Sequence, residues 1–227
     1  GILKGASLAR DGQVNLVPDA SMVVDDYEFI NRVEYKTEYL ESYVNWLRVG
    51  NQEFNSLYAA QSVIEDYGTV YVTKDVSINF EQSLVEGKHV TFDLNGHSVL
   101  LSKTLTTKGN NVITDSSTNK TGLLKNVSEV EELSAVTNEG TLTIRDGQYD
   151  SLKSYAIKND SGTMVIDGLN MVTSGCITTY GGSLTINNGY FENTSDRYSV
   201  LDARGTTTIN GGTFISPYNN TIDSDLY

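Results

Sequence analysis

One cysteine, two prolines and one tryptophan are all that 227 residues contain of these types. A lone Cys176 excludes a disulfide framework. It precedes Ile177 in an apolar stretch and reads as a small buried residue. With so little proline, the turns must rest on glycine, asparagine and aspartate. No stretch approaches the roughly 20 apolar residues of a membrane span. Positive charge is also scarce. Sixteen Lys and Arg face 29 Asp and Glu, for a formal charge of −13. That balance repels nucleic-acid phosphates and an anionic membrane surface, and it favours solubility or a cationic partner. There is no Gly-x-Ser-x-Gly elbow, Walker loop or dinucleotide fingerprint. The opening Gly1–Ala6 lacks a charged region followed by an apolar core, so a signal peptide is not expected there.

What is present is a phrase written four times: Gly140-Thr-Leu-Thr-Ile144, Gly162-Thr-Met-Val-Ile166, Gly182-Ser-Leu-Thr-Ile186 and Gly205-Thr-Thr-Thr-Ile209. The starts lie 22, 20 and 23 residues apart, and self-similarity near this period marks a stacked solenoid. Three apolar columns line up. They are Leu142, Met164, Leu184 and Thr207; Ile144, Ile166, Ile186 and Ile209; and Tyr149, Met171, Phe191 and Phe214. Polar residues fall between them, which is the alternation of a half-buried strand. Asp146-Gly147, Asp167-Gly168, Asn188-Gly189 and Asn210-Gly211 supply corners. A further strand precedes each glycine, at 135–138, 156–159, 176–179 and 200–203. Three short strands per turn predict an all-β parallel β-helix. An antiparallel sandwich would not give matched columns. One turn alone gains too little from burying an isoleucine, about 1.5–3 kcal/mol, against about 1–2 kcal/mol for ordering each residue.

Upstream, Ser56–Tyr67 reads as a short helix with Ser56 as N-cap and Gly68 as its stop. Strands follow at 69–73, 76–80, 90–94 and 98–101. A helix at this place can cover an open sheet end. The run Val49-Gly50, Phe54-Asn55-Ser56-Leu57, Ala60, Gly68-Thr-Val-Tyr-Val72, Asp75-Val76 and Gly87-Lys-His-Val-Thr-Phe-Asp-Leu-Asn-Gly-His97 resembles the opening of pectin-lyase-like right-handed β-helix domains. Asp93-Leu-Asn-Gly-His97 is its most specific piece, and the resemblance spans about residues 46–222. Such domains occur in surface proteins of Gram-positive gut bacteria and in fibre or decoration proteins of their phages. The resemblance implies a right-handed helix and an extracellular setting, on a virion or a cell surface. It implies no catalysis, because the shared positions are corners and core.

Residues 1–45 do not share the pattern. They read as a joining or anchoring segment with short strands at 13–17 and 21–24, and 46–227 as the β-helix domain. The far end looks open, since Asn219–Tyr227 is too short to cap it.

Parallel β-helices include polysaccharide lyases and glycoside hydrolases, so carboxylate pairs matter. Asp150 and Glu192 share a column two rungs apart, about 10 Å by strand spacing. Val172 separates them, and no Arg or Lys is expected to join that column. Asp202 and Arg204 flank the last glycine, and their plain reading is a surface charge pair. His89, His97 and Asp93 bracket a turn without the ligand spacing of a metal site. The polar stretch Asp115–Leu133 reads either as a binding loop or as an ordinary turn with a long solvated corner. Asn-x-Ser/Thr sequences at Asn119, Asn126, Asn159, Asn193 and Asn219 follow from composition. The expectation is a non-enzymatic structural or adhesive module. It needs no cofactor or metal and assembles as a homo-oligomer, a trimer if a fibre. It joins a larger assembly through residues 1–45 and offers its faces to a host glycan or surface protein. Fourteen tyrosines suit such contacts. A carbohydrate-active lyase or hydrolase is the alternative.

Overall fold

The computed structural model describes residues 44–217 and 221–224. Of the segment read as a joining element, all but Val44 and Asn45 lie outside the described residues, as do its two expected strands.

A hairpin of β1 (Leu47–Val49) and β2 (Gln52–Phe54) leads into helix α1 (Leu57–Val63). Seven turns of strand follow. The first holds β3 (Gly68–Val72), β4 (Val76–Ile78) and β5 (Gln82–Leu84), and the second β6 (His89–Asp93), β7 (Ser98–Leu101) and β8 (Leu105–Thr107). The third holds β9 (Asn110–Thr114), β10 (Leu123–Asn126) and β11 (Val136–Asn138), and the fourth β12 (Thr141–Ile144), β13 (Gln148–Ser151) and β14 (Ile157–Asn159). In the next two turns the first two strands run together, as β15 (Thr163–Thr173) with β16 (Ile177–Thr179), then β17 (Ser183–Asn193) with β18 (Leu201–Ala203). The last turn is β19 (Thr206–Ile209), β20 (Thr213–Ile215) and β21 (Ile222–Asp223). Every turn-to-turn pairing is parallel. The result is a parallel β-helix with three long faces, consistent with the right-handed winding expected.

The columns stack as the repeats require. Phe92, Ile113, Ile144, Ile166 and Ile186 are in register and buried. So are Leu142, Met164 and Leu184. On the second face Met171 pairs with Phe191, whose ring stacks on Phe214 at 5.0 Å. On the third, Leu105, Val136, Ile157, Ile177 and Leu201 form one apolar column. Beside it runs a polar column inside the protein. Thr107 Oγ1 donates to Asn138 Oδ1, Asn138 Nδ2 to Asn159 Oδ1, and Asn159 Nδ2 to Thr179 Oγ1. An amide both donates and accepts, so it can repeat in a stack, and its second N–H remains free to bond nearby carbonyls, as Asn159 Nδ2 does with Gly162 O and Gly181 O.

Two local expectations need correction. The helix ends at Val63, not Tyr67. Ile64 turns to extended backbone and buries its side chain, while Lys88 Nζ takes the exposed carbonyls of Gln61 (2.9 Å) and Ile64 (2.6 Å). The corners at Asp167-Gly168 and Asn188-Gly189 do not break the strand. They are absorbed as irregularities within β15 and β17. In the last turn the positive φ falls on Gly212 (124°), not Gly211.

The two ends differ. At the first turn, β1 pairs antiparallel with β3. The free edge of β5 is met by Gln61, whose amide donates to Ser83 O (2.8 Å) and accepts from Val85 N (2.9 Å). A glutamine on α1 thus replaces a missing strand. The Ser56 N-cap is present, accepting from Ala59 N. At the other end Ile209 keeps its register with Ile186 yet is 39% exposed, because no described residue stacks beyond it.

One inward polar residue breaks the pattern. Asn111 stands between Val90 and Leu142 in an apolar column, and neither atom of its amide finds a partner among the described residues. Buried Asn111 and buried Asn159 should therefore respond oppositely to the same change. Asn111→Leu is expected to raise stability by about 1 kcal/mol. Asn159→Leu is expected to lower it by at least about 2 kcal/mol, because it orphans several buried groups. Urea unfolding followed by circular dichroism reads both.

Candidate functional site

The outward residues of the third face and the corner leading into it form a groove of about 1000 Å³. Its floor comes from the strands. Lys158, Thr178, Asp202 and Asp223 occupy one register column through β14, β16, β18 and β21. Tyr180 and Arg204 follow one residue after their strands. The wall comes from the corners between second and third faces, which carry Glu131, Glu132, Lys153, Tyr155, Arg197 and Tyr198.

Each cation in this groove already has a carboxylate. Arg204 grips Asp202 with two nitrogens, Nε at 3.1 Å and an Nη at 3.0 Å. Asp202 is 5% exposed while the Arg204 side chain stays half exposed, so the surface pair expected from sequence has one buried partner. Arg197 meets Glu131 at 2.8 Å and joins corners 66 residues apart. Lys158 meets Asp160 at 2.9 Å, and Lys153 meets Glu129 at 3.2 Å. The Arg197 guanidinium holds the Glu131 carboxyl below the usual range.

The aromatic groups are fixed by these charges. Lys158 Nζ lies 4.7 Å and Arg204 Cζ 4.9 Å from the Tyr180 ring centre, and the residue is 46% exposed. Tyr155 and Tyr198 meet edge to face at 5.1 Å. Gly175 leaves room for the pair, since a Cβ there would come within 3.0 Å of Tyr198. Tyr155 Oη contacts Ser199 Oγ, and Tyr198 Oη donates to Lys153 O. Burial first, and then Asp202 and Asp223, push the Tyr155 phenol up, so it stays protonated.

The four sequence candidates do not converge. Asp202 and Arg204 line the groove. Asp150 and Glu192 sit on the second face and are not among its lining residues. Asp150 pairs with Lys125 at 2.6 Å and accepts from Thr173 Oγ1. Glu192 accepts from Tyr190 Oη, and Val172, 58% exposed, stands between them. A basic residue does join that column, because Lys125 is in register with Asp150. Its turn lies outside the Gly-x-Leu-Thr-Ile repeats, which hid the alignment. Missed altogether was Asp223, the in-register neighbour of Asp202.

The other sequence candidates have structural roles. His89 contacts Asp66 at 2.9 Å and stacks on Tyr67, and His97 contacts Asp75 at 3.3 Å. No group of three or more His, Cys, Asp or Glu is placed to hold a metal among the described residues. The stretch Asp115–Leu133 contains β10 and is a turn with long corners, the second of which carries Glu131 and Glu132 into the groove wall. Of the five sequons, Asn126, Asn159 and Asn193 are buried, and Asn119 is exposed. Asn219 lies outside the described residues. Comparison with family models, curated proteins and solved structures gives no significant match.

Two expectations follow. Asp115 is buried and accepts N–H bonds from Gly122, Ser117 and Gly96. Burial pushes its carboxyl up, but those donors outweigh it and leave it below the ordinary 3.8. Its contribution is complete above the unfolded value and is lost as pH falls from there through the folded value. Asp115→Asn should melt at least several degrees lower at pH 7, with the gap to the parent narrowing below about pH 4. Burial likewise pushes the Cys176 thiol up to about 12. Alkylation by iodoacetamide at pH 8 should occur only after unfolding.

Proposed function

We propose that this chain is a non-enzymatic binding module, a rigid β-helix that presents the third-face groove to a glycan or protein on another surface. The observation that carries this reading is the groove itself. Three tyrosines and eight charged side chains are held in fixed positions by a scaffold whose columns cannot shift independently. Such preorganised surfaces bind without an ordering penalty, and tyrosine offers a stacking face with a polar edge.

The acidic composition and the pectin-lyase-like resemblance support an extracellular setting, in a phage fibre or a bacterial surface protein. Residues 1–45 would then join the module to a larger, homo-oligomeric assembly.

A second reading has one specific support. Asp202 and Asp223 lie on adjacent rungs, so their backbones are about 4.8 Å apart. Retaining glycosidases hold their carboxyl groups at about 5–5.5 Å. Against it, both oxygens of Asp202 are already engaged by Arg204.

The test is binding of the chain to immobilised glycans and surface proteins, beside an assay for new reducing ends or unsaturated products. The expected outcome is retention that is weakened by Tyr180→Ala and Tyr198→Ala, with no glycan cleaved. Equal binding by parent and groove variants would overturn the proposal. Cleavage lost in both Asp202→Asn and Asp223→Asn would replace it with the hydrolase reading.

A further inference from the structure

Resting on the groove as the binding surface, we infer that it selects uncharged, hydroxyl-rich sugars over acidic ones. The chain as a whole is strongly acidic, at −13, and the groove is only mildly so. Lys153, Lys158, Arg197 and Arg204 stand against Glu131, Glu132, Asp202 and Asp223 of the lining and against Glu129 and Asp160, the partners of Lys153 and Lys158, a formal balance of −2. More decisive is that each cation lies within 3.2 Å of a carboxylate oxygen. An anionic sugar would have to displace one of these internal carboxylates, or enter beside it and be repelled. Either penalty removes the gain of a new ion pair.

A sugar hydroxyl faces no such penalty. It donates to a carboxylate and accepts from the neighbouring guanidinium or ammonium, so a paired Asp and Arg offer it both functions at one place. Asp202 with Arg204 is such a pair, and Tyr180 beside it is half exposed. Lys158 and Arg204 both lie over its ring, so the part of the ring they leave open offers a sugar an apolar contact. The charge pairs next to it, Lys158 with Asp160 and Arg204 with Asp202, supply the polar rim. The geometry therefore fits a ligand with alternating apolar and hydroxyl surfaces and no net charge. It also predicts what breaks the selection. Removing the charge of Asp202 while keeping its shape takes one negative charge out of the groove.

The experiment compares the full chain with Tyr180→Ala, Tyr180→Phe and Asp202→Asn on two sets of probes. One set holds neutral hexose and N-acetylhexosamine oligosaccharides, and the other holds matched oligosaccharides bearing uronic or sialic acid. Binding is measured at low and at about 0.5 M salt, where exposed charges are screened. The parent is expected to bind neutral probes with little change across salt. Tyr180→Ala should weaken this about tenfold while Tyr180→Phe, which keeps the ring, stays close to the parent. Asp202→Asn should gain affinity for acidic probes at low salt and lose that gain at high salt. Thermal melts confirm that each variant is folded. Tighter parent binding to acidic probes, or an Asp202→Asn variant with unchanged discrimination, overturns the inference and leaves the binding module standing. Binding to no oligosaccharide of either set overturns the inference, and retention on a surface protein alone then keeps the module as a protein binder.

Discussion

In-register stacking governs this molecule. Each strand bonds to its equivalent one turn away, so every residue must suit the residues above and below it in the same column. Apolar columns satisfy this readily, as Ile113, Ile144, Ile166 and Ile186 do. A polar column inside the protein is possible only where each member both donates and accepts. Asn138 and Asn159 meet that condition, and the hydroxyls of Thr107 and Thr179 close the two ends of the stack. Asn111 does not meet it, since its neighbours Val90 and Leu142 offer nothing to bond. The same rule makes ends expensive. A first turn needs a substitute partner, and the hairpin, Gln61 and Lys88 provide one.

The parts of the fold legible in the sequence were those repeated in it. The isoleucine column, the strand before each glycine and the Ser56 cap could be read because identical residues recur at a fixed spacing or because local chemistry demands them. The helix end was not legible, since Lys88, 24 residues from Ile64, decides where the carbonyls can stop. The alignment of Lys125 with Asp150 was hidden for a related reason. Long corners around β10 shift its turn away from the 20–23 residue period, and only the hydrogen-bond register restores the match.

The candidate site was less legible than the fold. Asp202 and Arg204 were visible because they flank a repeat glycine, and Tyr180 occupies the same column as Arg204 one turn earlier. Tyr155, Arg197 and Tyr198 come from corners of different length, where no column exists to align them. Their meeting depends on three-dimensional crowding at Gly175 and on the ion pair from Arg197 to Glu131. Asp223 follows a segment without the repeat phrase, so its place beside Asp202 emerges only from strand pairing.

Stacking also constrains charge, and this links the scaffold to the groove. A parallel ladder sets neighbouring side chains of one column about 4.8 Å apart, so an acidic protein cannot run carboxylates up a column without repulsion. The column through Lys158, Thr178, Asp202 and Asp223 places a cation and a neutral residue before its two acids. Where those two acids adjoin, Arg204 folds back onto Asp202 and neutralises it. The ion pair on this rung is thus also one of those that tie up the cations of the groove. On the proposed reading, packing of the last turns and selection of a ligand both run through this contact, and a change at Asp202 or Arg204 alters both.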